Sequence, residues 1–253
     1  MIVSFGLFTV QEGFFMLADY TTSVDDTSAA MGDIARQERS LTLTKQFRGL
    51  ELNQAVSLLD VSSDCATLQA TDPKMVPILE GAVCLHSQAF SKPIAARVKE
   101  MNYADGIFQL SDFTYQDWKE RQYERVQPKD PTYITLHWRQ KEARLCLEDI
   151  SAHGMGVFAG RELEREIKIQ PGLIVHLDFQ LSDIPINDLE GSILYQYRVG
   201  QWVEKLGLRL FPNNKQRRSL EQYIARRRKE ILEEVSQIYI RAHEPHGVEY
   251  QYF

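Results

Sequence analysis

From Leu41 to Phe211 the apolar residues fall into short strand-like runs, and only after Pro212-Asn213-Asn214 does the period change to that of a helix. The first set of runs is Leu41–Phe47, Leu52–Leu59, Ala66–Ala70, Val83–Phe90, Ile94–Glu100 and Gly106–Leu110, punctuated by Asp72-Pro73, Glu80-Gly81, Lys92-Pro93 and Asp105-Gly106. The second set is Thr132–Arg139, Ala143–Ile150, Met155–Ala159, Leu173–Leu181, Leu189–Arg198 and Val203–Phe211, with bends at Pro171-Gly172 and Glu190-Gly191. Short strands with turn chemistry at regular intervals predict a mainly β protein built from small barrels or sandwiches. Beyond them Leu220, Tyr223, Ile224, Arg227, Ile231, Val235 and Ile238 recur at helical spacing. One long amphipathic helix, Asn214 to Tyr239, is expected there, capped by Asn213 or Asn214.

The two sets also align. Leu59-Asp60-Val61-Ser62-Ser63-Asp64-Cys65 lies over Glu148-Asp149-Ile150-Ser151-Ala152-His153-Gly154. Further on, the segment around Gly81 lies over that around Gly172, with Cys84 opposite Val175. Two matches in the same order favour a duplicated β-barrel with a degenerate N-terminal copy. The expected organisation is a weakly ordered leader over residues 1–40, with a short helix near Met31 to Arg36, and a first barrel over 41–115. A linker over 116–131, a second barrel with its helix over 132–240 and a tail over 241–253 complete it.

Composition narrows the function. A hydrophobic content of 43% with 25% charged residues is ordinary for a globular protein, and 253 residues suffice for two domains. The formal charge of −6 argues against a general nucleic-acid coat or a membrane-surface binder. Cys65, Cys84 and Cys146 each sit singly in apolar runs, as suits a reducing compartment. The apolar N-terminus is interrupted by Gln11, Glu12 and Gly13 and lacks a basic start, so neither a signal peptide nor membrane insertion is expected. These features predict a cytoplasmic protein.

The chemistry concentrates between Glu120 and Gly156. Arg121 and Arg125 stand four residues apart just before Pro128 and Pro131. A guanidinium fork matches a phosphate or the O6/N7 edge of guanine. Asp149 and Ser151 alternate at a strand end, which puts both on one face. The aspartate could accept from guanine N–H groups, the serine could bond a phosphate or base edge, and Gly154 permits positive φ and close approach of a flat ligand. The set fits a ligand carrying guanine and phosphate. Each part has a plainer explanation. Arg121 and Arg125 could pair with Glu120 and Glu124 in a solvated linker, and Asp149-x-Ser151-x-x-Gly154 could simply close two strands. Arg161 and Arg165 repeat the arginine spacing in a charged stretch, so the combination rather than any one part is informative.

Arg121-x-x-x-Arg125, Asp149-x-Ser151-x-x-Gly154, then Gly207-Leu208-Arg209-Leu210-Phe211 and a C-terminal helix together resemble a PilZ domain over about residues 119–240. The resemblance implies a six-stranded β-barrel that binds the bacterial second messenger cyclic di-GMP as a ligand, with no cofactor. It assigns Arg121 and Arg125 to guanine edges and phosphates, and Asp149, Ser151 and Gly154 to the barrel side of the site. Gln122, His153, Gly156 and Gly207 are secondary candidates. With a barrel upstream and Phe108-Gln109-Leu110 before the arginines, the chain is similar to the two-domain flagellar brakes. That implies a downstream protein partner: a motor, synthase or pilus component. Ligand phosphates are expected to order an otherwise mobile Arg121–Pro131 linker. No catalytic set and no metal triad is evident; His243 and His246 lack a third ligand. Two alternatives stay open. One is a ligand-switched DNA-binding regulator using Lys215, Arg217, Arg218, Arg226, Arg227, Arg228 and Lys229. The other is a non-binding scaffold or a homodimer formed through the helix.

Overall fold

The computed structural model describes residues 41–62, 64–116, 122–160 and 170–243. The expected leader with its short helix, Arg121, the pair Arg161 and Arg165, and the chain beyond His243 lie outside the described residues. The molecule divides into two compact units, and residues 46–52 belong to the second of them together with 119–241.

Six strands form the first barrel: β1 (Leu41–Phe47), β2 (Leu50–Val61), β3 (Ala66–Ala70), β4 (Gly81–His86), β5 (Ile94–Asn102) and β6 (Ile107–Tyr115). They close in the order β1-β2-β3-β6-β5-β4, and β1–β4, β2–β3, β3–β6, β4–β5 and β5–β6 pair antiparallel. The second barrel comprises β7 (Tyr133–Trp138), β8 (Lys141–Ile150), β9 (Gly154–Gly160), β10 (Ile174–Leu181), β11 (Ile184–Arg198) and β12 (Val203–Leu210). Its order around the ring is β7-β8-β9-β12-β11-β10, the same circuit as in the first. The mainly β fold with two six-stranded barrels and a C-terminal helix is therefore the observed one.

Alternation explains why these segments are barrel strands. In β10, Val175, Leu177, Phe179 and Leu181 are buried while His176 and Gln180 are exposed, so one face fills the interior and the other meets solvent. The first barrel closes around Leu43, Leu68, Leu85, Ile94, Phe108 and Leu110 in the same way.

Strand limits differ from the sequence expectation where turn-forming residues lie inside strands. β11 begins at Ile184 rather than Leu189, because Ser182 adopts φ 56° and a tight hairpin pairs Leu181 with Ile184. Pro185 is tolerated opposite Gln180, and Asp188 (φ 51°) falls where the register shifts. β6 continues past Leu110 to Tyr115 through Asp112, whose φ of 58° accompanies another register shift. β4 stops at His86 rather than Phe90, since the Ser87 carbonyl and hydroxyl accept from the amides of Phe90 and Ala89 and turn the chain.

The final helix, α1, spans Asn214–His243, so it runs past the expected end at Tyr239. Its start is a capping box. Asn213 Oδ1 accepts from the amides of Lys215 (3.0 Å) and Gln216 (2.9 Å), and Gln216 Oε1 accepts from the Asn213 amide (2.9 Å). Gln216 Nε2 also donates to the Asn187 carbonyl at 2.8 Å, tying the first turn of α1 to β11.

The two barrels share one turn geometry. Ser62 closes the β2–β3 turn by donating its amide (2.8 Å) and hydroxyl (3.1 Å) to the Cys65 carbonyl. Ser151 closes the β8–β9 turn by donating its amide (2.8 Å) and hydroxyl (3.0 Å) to the Gly154 carbonyl. The register shifts at Leu58/Asp60 and Leu147/Asp149 also coincide in that alignment. The second match holds only at its glycines, which share a left-handed φ of 85° and 86°. Beyond them it slips by one residue, because Val83 and Leu85 alternate into one barrel as Val175 and Leu177 do into the other.

Candidate ligand-binding site

One row of cross-strand neighbours organises the second barrel's surface. Asp149 on β8 faces Gly156 on β9, Gly156 faces Gly207 on β12, and Gly207 faces Tyr195 on β11. The two glycines form a floor onto which neighbouring side chains fold, the Glu148 and Asp149 carboxylates over Gly156 and the Tyr195 ring over Gly207. Neither could carry a Cβ at no cost: at Gly156 it would lie 2.8 Å from Glu148 Oε2, and at Gly207 2.2 Å from the Tyr195 ring.

Asp149 is the hub. Its Oδ1 accepts from the Gly156 amide at 3.1 Å and from Arg125 Nη1 at 2.7 Å. Both partners of the ion pair are largely shielded, with side-chain exposures of 25% for Arg125 and 12% for Asp149. Charge-assisted bonds of this length in a shielded site are roughly twice as strong as neutral ones. The segment before β7 is brought there by the main chain: Val126 and Ile150 form an antiparallel bridge, with both N–H···O distances 3.0 Å. Arg125 therefore does not dangle, and the expected mobility of the Arg121–Pro131 linker does not extend to this residue.

Gly154 is required for space rather than for an unusual φ, contrary to the sequence expectation; it is absent from the left-handed glycines. A Cβ there would stand 3.1 Å from the Leu208 carbonyl and 3.2 Å from Arg125 Nη2, so its absence lets the guanidinium approach the turn. Ser151 is buried, and its hydroxyl proton is committed to the Gly154 carbonyl, which leaves its oxygen lone pairs as acceptors. His153 lies at the rim, its ring 4.4 Å from that of Tyr123 and tilted by 48°. Gln122, which precedes Tyr123 in the chain, is exposed. The structure thus brings Arg125, Asp149, Ser151, Gly154, Gly156 and Gly207 together with His153; Arg121 lies outside the described residues.

Three residues at this site carry no sequence signal of their own. Glu148 sits at the register shift beside Asp149, and Lys205 bonds its Oε1 at 2.7 Å. Burial pushes the Glu148 carboxyl above the usual carboxylate range, against the opposing pull of Lys205. Burial works to lower the Lys205 ammonium, but its hydrogen bond to Glu148 together with the attraction of Glu148, Tyr197 and Asp149 leaves it raised. Tyr195, whose hydroxyl is also raised by burial, covers Gly207. Only the register reveals them: Lys205 lies two residues from Gly207 on one strand, and Tyr195 faces Gly207 across the other.

A family model for the PilZ domain matches residues 119–226. Residues 119–226 are a PilZ domain. The match begins just ahead of the arginine pair and ends within α1, so it takes in the whole second barrel. Among solved structures, the chain is similar to the complex of MrkH from K. pneumonia with c-di-GMP (12% identity, TM-score 0.46, covering 85% of this chain and 98% of that one). It is similar to YcgR of Escherichia coli in complex with c-di-GMP (14%, 0.42, 87% and 100%) and to the Bacillus subtilis inhibitor of motility MotI/DgrA (14%, 0.39, 76% and 96%). No curated protein matches the chain. Among the described residues, no helix is long and apolar enough to cross a membrane, and no group of three or more His, Cys, Asp or Glu is arranged to hold a metal ion.

Proposed function

We propose that the protein is a cytoplasmic receptor for cyclic di-GMP, not an enzyme, and that the ligand binds the second barrel through Arg121, Arg125, Asp149, Ser151 and Gly154. The observation that carries this reading is the chain Arg125 Nη1 to Asp149 Oδ1 (2.7 Å) to the Gly156 amide (3.1 Å), beside a glycine floor. Such a site offers donors for phosphate and for a guanine O6/N7 edge, an anchored acceptor for guanine N–H groups, and an aromatic ring, Tyr195, laid over the glycine floor. Residues 41–115 and 132–240 are then the two domains, joined by 116–131. Ligand contacts to the arginine segment change the orientation of the first domain, and a downstream protein controlling motility, polysaccharide or surface behaviour reads that change. The alternative of DNA binding through α1 gains little support: Arg226, Arg227 and Arg228 are engaged by Asp183, by Glu230 with Glu234, and by Glu124.

The test is calorimetric titration of the full chain with cyclic di-GMP, with GTP and cyclic GMP as controls. Selective binding is expected, with Arg125→Ala weakening it at least a hundredfold while the thermal unfolding transition stays cooperative. Equal affinity in wild type and Arg125→Ala would place any binding elsewhere.

A further inference from the structure

We infer that Arg227, on the C-terminal helix, is a positioning residue for Arg125; the inference rests on the cyclic di-GMP reading above. Its basis is how completely the two residues after Arg125 are held. Val126 exchanges both main-chain bonds with Ile150, at 3.0 Å each. Gln127 donates its amide to the Arg48 carbonyl at 2.7 Å, and its own carbonyl accepts from Arg227 Nε at 2.9 Å. All four main-chain polar groups of this dipeptide are therefore bonded, although it sits outside any strand. Val126 is fully buried.

Arg227 is the one buried cation among the described residues, at 2% exposure. A buried guanidinium is tolerated only when its charge and donors are satisfied. Here Nη1 bonds Glu234 at 2.7 Å and Glu230 at 3.1 Å, both on the following turns of the same helix. Neutralisation inside α1 leaves Nε free to address the linker carbonyl. Glu234 also lies 3.5 Å from Arg48 Nε, and the Arg48 carbonyl holds the Gln127 amide. Arg227, Glu234, Arg48 and Gln127 thus form a closed circuit.

The consequence concerns Arg125 directly. Its Cα is one residue from a main chain fixed against Ile150, and Ile150 adjoins Asp149. With Val126 and Gln127 held, the guanidinium is presented to Asp149 and Gly154 without ordering the following chain on binding. Freedom to respond to ligand is confined to Arg125 and the residues before it. The expected mobile linker from Arg121 to Pro131 is shortened accordingly. Fixing a segment in its binding geometry before ligand arrives raises affinity by removing an ordering cost.

Arg227→Lys is the test, because a lysine keeps the charge for Glu230 and Glu234 but lacks the fork that also reaches the Gln127 carbonyl. The comparison is Ile231→Ala, which removes a fully buried apolar side chain one turn along the same helix and deletes no hydrogen bond to the linker. Cyclic di-GMP affinity is measured by calorimetry, and amide exchange at Val126 and Gln127 is measured without ligand. The inference predicts an affinity loss of about tenfold or more and faster exchange at both amides in Arg227→Lys, with near wild-type affinity in Ile231→Ala. Wild-type affinity in Arg227→Lys would overturn it, as would losses in both variants that track their melting temperatures. If wild type itself does not bind, the receptor reading falls, and the exchange measurement still decides whether Arg227 holds the linker. Should Arg227→Lys fail to fold, Gly49→Ala perturbs the anchor from its other side, since its Cβ would stand 2.9 Å from the Gln127 nitrogen. Unchanged affinity there would overturn the inference too.

Discussion

Replacing Gly207 by alanine tests the glycine floor most directly. The new Cβ would sit 2.2 Å from two ring carbons of Tyr195 and 2.7 Å from its hydroxyl oxygen, against about 3.5–4.0 Å for an unstrained carbon pair. The strands cannot easily part, because the β11–β12 ladder pairs Tyr195 with Gly207 and continues on both sides. The ring must therefore leave, and it has an exit, being 41% exposed. A fully buried aromatic side chain hides about 150–250 Å². Losing the hidden part of Tyr195 forfeits roughly 100 Å², or about 2–3 kcal/mol at ~25 cal/mol per Å². Alanine in a strand recovers about 0.5–1 kcal/mol over glycine. The net cost is about 1–2.5 kcal/mol, read from urea unfolding. Gly160→Ala is the control, since nothing lies within 4 Å of its Cβ, and it should be neutral or slightly stabilising. Adding Tyr195→Ala to Gly207→Ala should then cost little more, because the ring is already displaced. Equal unfolding midpoints for Gly207→Ala and Gly160→Ala would refute the reasoning.

Two further outcomes follow from the local geometry. Asn213→Ala removes the acceptor of the Lys215 and Gln216 amides and should cost about 1 kcal/mol in urea unfolding, with ligand affinity unchanged. Lys205→Met should differ from wild type in a pH-dependent way. The Lys205 pKa is raised in the fold, so its stabilising contribution is complete below the ordinary lysine value and is lost as pH rises through the higher folded value. The stability gap between wild type and Lys205→Met is therefore constant at neutral pH and narrows as pH rises past the ordinary lysine value; a gap that widens there would contradict the Glu148–Lys205 pairing.

What the sequence made legible depends on how local the cause was. Period-two alternation and turn residues located all twelve strands, and the change of period after Asn213 located α1. Limits failed where a turn-former was absorbed as a bulge, as at Asp112 and Asp188. The site divided along the same line. Asp149, Ser151 and Gly154 lie within one turn and could be read as a motif, whereas Glu148, Lys205 and Tyr195 meet only through the pairing of β8, β9, β12 and β11. Arg227 was legible as a helix-stripe position, but nothing local says that an arginine in that stripe reaches a carbonyl a hundred residues away.

The duplicated turn shows how little separates a scaffold from a site, and it yields a paired prediction. Ser62 and Ser151 make the same two donations to the carbonyl three residues on. As turn-closers they are equivalent, and each serine-to-alanine change should cost about 0.5–1.5 kcal/mol, with Ser151 toward the upper end because it is buried. As binding groups they are not. The aspartate two residues ahead of Ser151 is buried and holds Arg125, whereas its counterpart Asp60 is exposed. Cys65 occupies the place where Gly154 leaves room for that guanidinium. Ser151→Ala should therefore lower both stability and cyclic di-GMP affinity, and Ser62→Ala should lower stability alone. If the two variants change affinity alike, the shared turn, and not the arginine and glycine around the second copy, would be what the ligand reads.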